Sequence, residues 1–194
     1  NARGNLYKTM GDYSKAEPLF QEACTVMKEK LGEGHPAHAA AINNLANLYK
    51  AMGDGEKAEP LYQQACELLK GGLGEEHAHT LTSVNNLAIL YDETIHDYNK
   101  AEPLYLEVIN SLRKASNAPH PNFPGHLRNL ANMYVLAGKL SQAEPLYIEA
   151  RDLLKSTVGE SHADYGTCLN SLAWLEHSKG DDTIKAEGLY LEAQ

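Results

Sequence analysis

Cysteine is scarce in this chain, with three among 194 residues. Three thiols make no disulfide framework, and Cys24 and Cys66 occupy equivalent places in consecutive copies of a repeated pattern. Two helix widths of ~8–10 Å each would separate them, beyond the roughly 7 Å Cα limit for a bridge. Free thiols suit a reducing compartment, so the expected setting is soluble and cytoplasmic. Positive charge is the second deficit: 17 Lys and Arg stand against 26 Asp and Glu, a net charge of −9. That balance excludes the basic stripe by which proteins hold nucleic acid. Long apolar runs are missing as well. Nothing approaches the roughly 18 residues of a membrane span, so no membrane partner is expected. The chain also lacks a GxSxG elbow, a P-loop and a GxGxxG turn. No enzyme, no cofactor and no small-molecule substrate are expected.

What the chain has is repetition. AEPLF at 16–20 returns as AEPLY at 58–62, 101–105 and 143–147 and as AEGLY at 186–190, with spacings of 42, 43, 42 and 43. A second phrase keeps the same beat: NNLANLY at 43–49, NNLAILY at 85–91, RNLANMY at 128–134, NSLAWLE at 170–176 and a partial NARGNLY at 1–7. A period of this length marks a solenoid, whose units bury their apolar faces only against their neighbours. The pattern predicts one elongated domain over 1–194, of four and a half to five repeats (1–36, 37–78, 79–121, 122–163 and 164–194). The chain opens and stops inside a repeat, so it reads as truncated at both ends.

Each repeat reads as two helices. In the second, Ala39, Ile42, Leu45, Ala46 and Tyr49 draw one apolar stripe, and Leu61, Tyr62, Ala65, Leu68 and Leu69 draw another. Between them Gly53 permits a left-handed turn and Asp54 serves as N-cap. Pro60 is expected near the end of the second helix's first turn, where a missing N–H costs least, and Pro36 at the start of the following first helix. Tyr7, Tyr49, Tyr91 and Tyr134 mark one site on the first helices; Phe20, Tyr62, Tyr105, Tyr147 and Tyr190 mark one on the second. Both sets read as packing residues, with Ala46, Ala88, Ala131 and Ala173 allowing close approach. The extra residues of the third and fifth repeats map to the turns at 92–100 and 177–185.

Four histidines, His35, His77, His120 and His162, recur in the loop before each first helix. One per repeat, they cannot converge on a single metal ion, and no metal site is expected. The glutamates of AEP also come one per repeat, which suits surface or capping roles rather than paired carboxylate chemistry.

Leu45-Ala46-x-x-Tyr49-x-x-x-Gly53 followed by Ala58-x-x-x-Tyr62-x-x-Ala65 resembles the tetratricopeptide repeat along the whole chain. The 42-residue period, the NNLA phrase and the loops GEGHP (32–36), GEEHA (74–78) and GESHA (159–163) are most similar to the subclass found in kinesin light chains. The third repeat departs by lacking the turn Gly, the fifth by placing Glu176 where Tyr is expected, and the fourth by its loop, NAPHPNFPGH (117–126). The resemblance implies an all-α, right-handed superhelical solenoid of ten helices, with first helices lining a concave groove for a protein or peptide ligand.

Inward-facing residues are then those just off the apolar stripe: Asn1, Asn5 and Lys8; Asn43, Asn47 and Lys50; Asn85, Ile89 and Asp92; Arg128, Asn132 and Val135; Asn170, Trp174 and His177. Asn44, Asn86 and Asn129 border them. Asn is a mediocre helix former, and its recurrence has two readings. The amides tie neighbouring first helices together, or they grip the main chain of an extended peptide, as the resemblance implies. Lys8, Lys50 and Arg128 either suit acidic groups or sit on a solvated face. Trp174, the single tryptophan, is a candidate anchor or a residue covered by a further repeat. Three functions stay open: a peptide- or protein-binding scaffold such as a cargo-recognition domain, an architectural spacer, and the sensor region of a larger signalling protein.

Overall fold

The computed structural model describes residues 2–114, 121–179 and 183–192. These form α1 (Ala2–Thr9), α2 (Tyr13–Leu31), α3 (Pro36–Ala51), α4 (Gly55–Leu73), α5 (Ala78–Ile89), α6 (Tyr98–Lys114), α7 (Phe123–Leu136), α8 (Leu140–Thr157), α9 (Ala163–Lys179) and α10 (Thr183–Glu192). No strand occurs among the described residues. The chain divides into two compact units, Asn1–Leu104 and Tyr105–Gln194.

In the first unit each helix packs on the next: α1 on α2, α2 on α3, α3 on α4 and α4 on α5. The stripes read from the sequence are the contact faces. Ala39, Ile42, Ala46 and Tyr49 of α3 are buried, with Ala58, Tyr62, Ala65 and Leu69 of α4. The small position of the first repeat is Gly4, where a Cβ would come 3.1 Å from the Phe20 ring. In the second unit α7 packs on α8, α8 on α9 and α9 on α10, around Leu130, Ala131, Tyr147, Ala150, Leu169 and Ala173. Tyr190 is the one second-helix aromatic that stays exposed.

Turn chemistry follows the sequence closely. Gly11, Gly53 and Gly138 all sit at positive φ, and Asp12 and Asp54 accept the backbone N–H of Lys15 and Lys57 as N-caps. The third repeat solves its turn differently. Its extra residue is taken up by a π-helical turn over Leu90–Ile95, and His96 takes the left-handed position at φ 59° in place of glycine. The fifth repeat's insertion falls partly on 180–182, outside the described residues, as do Asn1 and His120.

One expectation changes. Pro60 is the sixth residue of α4 rather than part of its first turn. Pro18, Pro103 and Pro145 hold the same place in α2, α6 and α8. At that depth the ring removes a donor that would have bonded the carbonyl four residues back. All four prolines are exposed, on the solvent side of their helices. The loop histidines also have a role the sequence left blank. His35, His77 and His162 each accept, through Nδ1, the backbone N–H two residues on, at 3.1–3.2 Å. They close the first turns of α3, α5 and α9.

Candidate functional site

The residues picked from the sequence fall into three groups. The first is engaged inside the repeat array. Asn43 Oδ1 accepts from Ser83 Oγ at 3.3 Å and from Asn86 Nδ2 at 3.4 Å, which joins α3 to α5. Asn47 Oδ1 accepts from the Tyr62 hydroxyl at 2.6 Å. Lys50 pairs with Glu93 at 2.9 Å. Asn85 is only 7% exposed and packs within the first unit instead of presenting its amide outward. Of the two readings of the asparagines, Asn43 adopts the tie between first helices, while Asn47 ties α3 to α4 within its own repeat.

A second group is exposed or half-buried on its own helix. Asn5 is exposed and Lys8 half-buried on α1, while Arg128 and Asn129 are half-buried on α7. The Arg128 guanidinium is close enough to act on the Tyr147 phenol and the Cys168 thiol, holding both lower than burial alone would. Burial still dominates, pushing Tyr147 up to about 12 and Cys168 up to about 11. Both groups stay protonated at neutral pH.

The third group converges. Asn132 of α7 and Asn170 and Trp174 of α9 line one open cleft of about 460 Å³, floored by Tyr147 of α8. Leu136 and Trp174 form its apolar walls and are 62% and 48% exposed. Tyr147 donates to Asn132 Oδ1 at 2.5 Å, fixing the amide against the floor. Thr167 and Ser171 complete the α9 side. The sequence reading missed these two hydroxyls and Leu136. Ser171 carries a usable signal, since it holds the place of the bordering Asn44, Asn86 and Asn129; Thr167 lies one helical turn before it. In the first unit a smaller cleft of about 330 Å³ lies beside Asn43 and Asn44, with His79 and Thr82 opposite.

The AEP glutamates at 17, 59 and 144 are connectors. Tyr49 donates to Glu17 and Tyr91 to Glu59, each at 2.7 Å, so the second helix of one repeat is pinned to the first helix of the next. Lys57 and Lys100 lie over those tyrosine rings at 5.2 and 4.8 Å. Where Glu176 replaces tyrosine, Lys179 takes over, donating to Glu144 at 2.5 Å and forming an ion pair with Glu176 at 3.6 Å. No group of three or more metal-ligating side chains occurs among the described residues, and no described helix is long and apolar enough to cross a membrane.

A row of helix pairs with tyrosine connectors and a lined first-helix face defines a repeat scaffold for protein interaction. The chain belongs to the tetratricopeptide repeat family, whose profile matches residues 1–71, 40–114 and 125–194. Among solved structures it is similar to the nearly identical TPR-like repeats of a Podosopora anserina protein designated a candidate kinesin light chain. The match has 22% identity and a TM-score of 0.84, covering 99% of this chain and 90% of that one. A substituted form of that same protein aligns equally, at 22% identity and a TM-score of 0.85. BtubC (BKLC) from P. vanneervenii matches at 23% identity and a TM-score of 0.85, over 98% of this chain and 75% of that one. These likenesses establish the solenoid fold. No curated protein matches the chain.

Proposed function

We propose that this chain binds an extended peptide segment of a partner protein, and that the segment docks on the first-helix face of the second unit. The observation that carries this reading is the convergence of Asn132, Asn170 and Trp174 on one cleft with exposed apolar walls. An exposed indole beside a tyrosine floor suits a binding hot spot, in which an aromatic anchor supplies energy, and the amides beside it set register. Arg128, one helical turn before Asn132, suits an acidic group on the same segment. The kinesin-light-chain-like fold makes cargo recognition the specific version of this reading. In the first unit, Asn43, Asn47 and Lys50 are engaged internally, and that observation favours an architectural role there.

Trp174 is the chain's only tryptophan, so the cleft carries its own reporter. Peptides selected from a random display library on the whole chain should shift Trp174 fluorescence. Trp174→Ala should weaken them by about 2 kcal/mol or more, while Gln142→Ala, exposed on α8, leaves affinity unchanged. Loss of binding in Gln142→Ala with full binding in Trp174→Ala would place the site elsewhere.

A further inference from the structure

Three polar groups of the cleft on the second unit, Asn132, Thr167 and Ser171, have their hydrogen-bonding direction set by bonds already made. Tyr147 donates its single hydroxyl hydrogen to Asn132 Oδ1. With the oxygen so engaged, what Asn132 offers the cleft is its amide nitrogen, a donor. Across the cleft the hydroxyls are committed the other way. Thr167 Oγ1 donates to Ala163 O at 2.9 Å and Ser171 Oγ donates to Thr167 O at 3.2 Å. Each has spent its hydrogen on its own helix, and each oxygen is left as an acceptor. Asn132 therefore gives hydrogen bonds and the two α9 hydroxyls take them, while Asn170, also on α9, carries an amide that can do either.

The spacing of the two acceptors narrows the ligand further. Residues four apart on a helix hold their Cβ atoms roughly 5–6 Å from one another. The two N–H bonds of a primary amide diverge by about 120°, and with acceptors about 2.9 Å from the nitrogen they address two oxygens about 5 Å apart. A main-chain peptide group has one N–H and satisfies one hydroxyl only. A primary carboxamide has two N–H bonds and one carbonyl, which matches two acceptors and one donor. The eight described residues lining the cleft are all uncharged at neutral pH, so an ammonium entering it would lose water without gaining a counter-charge. A carboxylate would find a cation only outside the lining, at Arg128, while setting acceptors against the two hydroxyl oxygens. Trp174 supplies a flat wall for a flat amide.

Resting on the peptide-binding reading above, we propose that this cleft is a carboxamide-reading subsite. It takes the side chain of a glutamine or asparagine of the bound segment, carbonyl towards Asn132 and NH2 towards Thr167 and Ser171.

The test uses a library-selected peptide, resynthesised with Gln, Asn, Glu or Met at the anchor position and titrated against the whole chain by Trp174 fluorescence. Gln or Asn should bind best, and the better of the two fixes the length of the side chain read. Glu, nearly the same shape, presents acceptors where donors are needed and should bind roughly tenfold or more weaker. Asn132→Asp keeps the oxygen that Tyr147 requires but replaces the donor by an acceptor. It should cost the Gln or Asn peptide roughly tenfold or more and leave the Met peptide's affinity within a few-fold. If thermal melts show Asn132→Asp to be misfolded, the Thr167→Val, Ser171→Ala double variant, altered at two cleft-lining hydroxyls of α9, serves instead with the same expected loss. Equal binding of the Gln and Glu peptides, with Trp174→Ala still abolishing both, would overturn the carboxamide subsite and leave peptide binding standing. A library that yields no Trp174-dependent peptide would overturn both.

Discussion

Histidine at the N-cap is the residue-scale feature that most changes how this chain is read. A repeated histidine invites a metal or an acid–base role. Here His35, His77 and His162 each spend Nδ1 on a backbone N–H that the helix itself cannot satisfy. The expected outcome for His35→Ala is a loss of about 1 kcal/mol in urea unfolding. His35→Asn, whose side-chain oxygen can accept the same N–H, should recover most of it. Equal losses for both substitutions would mean that the ring acts by packing. Leucine positions are graded in the same way by their surroundings. Leu130 is fully buried and Leu6 is exposed, so Leu130→Ala should cost about 2–5 kcal/mol, and Leu6→Ala, with little contact to lose, less than about 0.5 kcal/mol.

At the scale of the element, the junction between repeats is the unit of design. Tyr49 with Glu17 and Tyr91 with Glu59 are the same joint made twice, and the α8–α9 joint replaces it with Lys179 between Glu144 and Glu176. Removing the lysine withdraws the positive charge that Glu144 and the buried Glu176 share. Lys179→Met should therefore destabilise by about 1–3 kcal/mol. Adding Glu176→Tyr, which restores the joint used elsewhere, should return part of that loss in a double-mutant cycle. The helices were legible in the sequence because Leu, Ala and Tyr recur at helical spacing, and the cleft was legible in Asn132 and Trp174. The joints were not. Tyr91 and Glu59 lie 32 residues apart, in different repeats, and only the stacking of α4 against the following repeat brings them together. Nor does a list of asparagines reveal that Asn43 faces another asparagine while Asn132 faces a phenol. That depends on which neighbour each amide meets first.

For the molecule as a whole, buried phenols set the alkaline limit of stability. Burial, followed by the hydrogen bond to Glu59, pushes Tyr91 up to about 12, and burial does the same for Tyr147, from an ordinary value of 10.0. Tyr62 moves in the same direction, again by burial. The folded chain therefore keeps protons that the unfolded chain releases above pH 10. Below pH 10 the contribution is fully present, and it is lost as pH rises towards 12. Urea midpoints should stay flat on this account up to about pH 10 and then fall, in step with the ultraviolet absorbance of tyrosinate. A flat midpoint while tyrosinate appears would show that the phenols ionise without loosening the fold. Both units carry such a tyrosine, Tyr91 in the first and Tyr147 in the second, so neither should be spared.

The π-helical turn at Leu90–Ile95 carries a meaning for inheritance. Tyr91 before the added residue and Ala101 after it are both buried, as Tyr49 and Ala58 are in the repeat without it. A codon gained in this stretch of the gene alters the length of one copy and leaves its mates able to recognise it. Copies of unequal length can then be duplicated or exchanged along the gene by recombination without a second, compensating change.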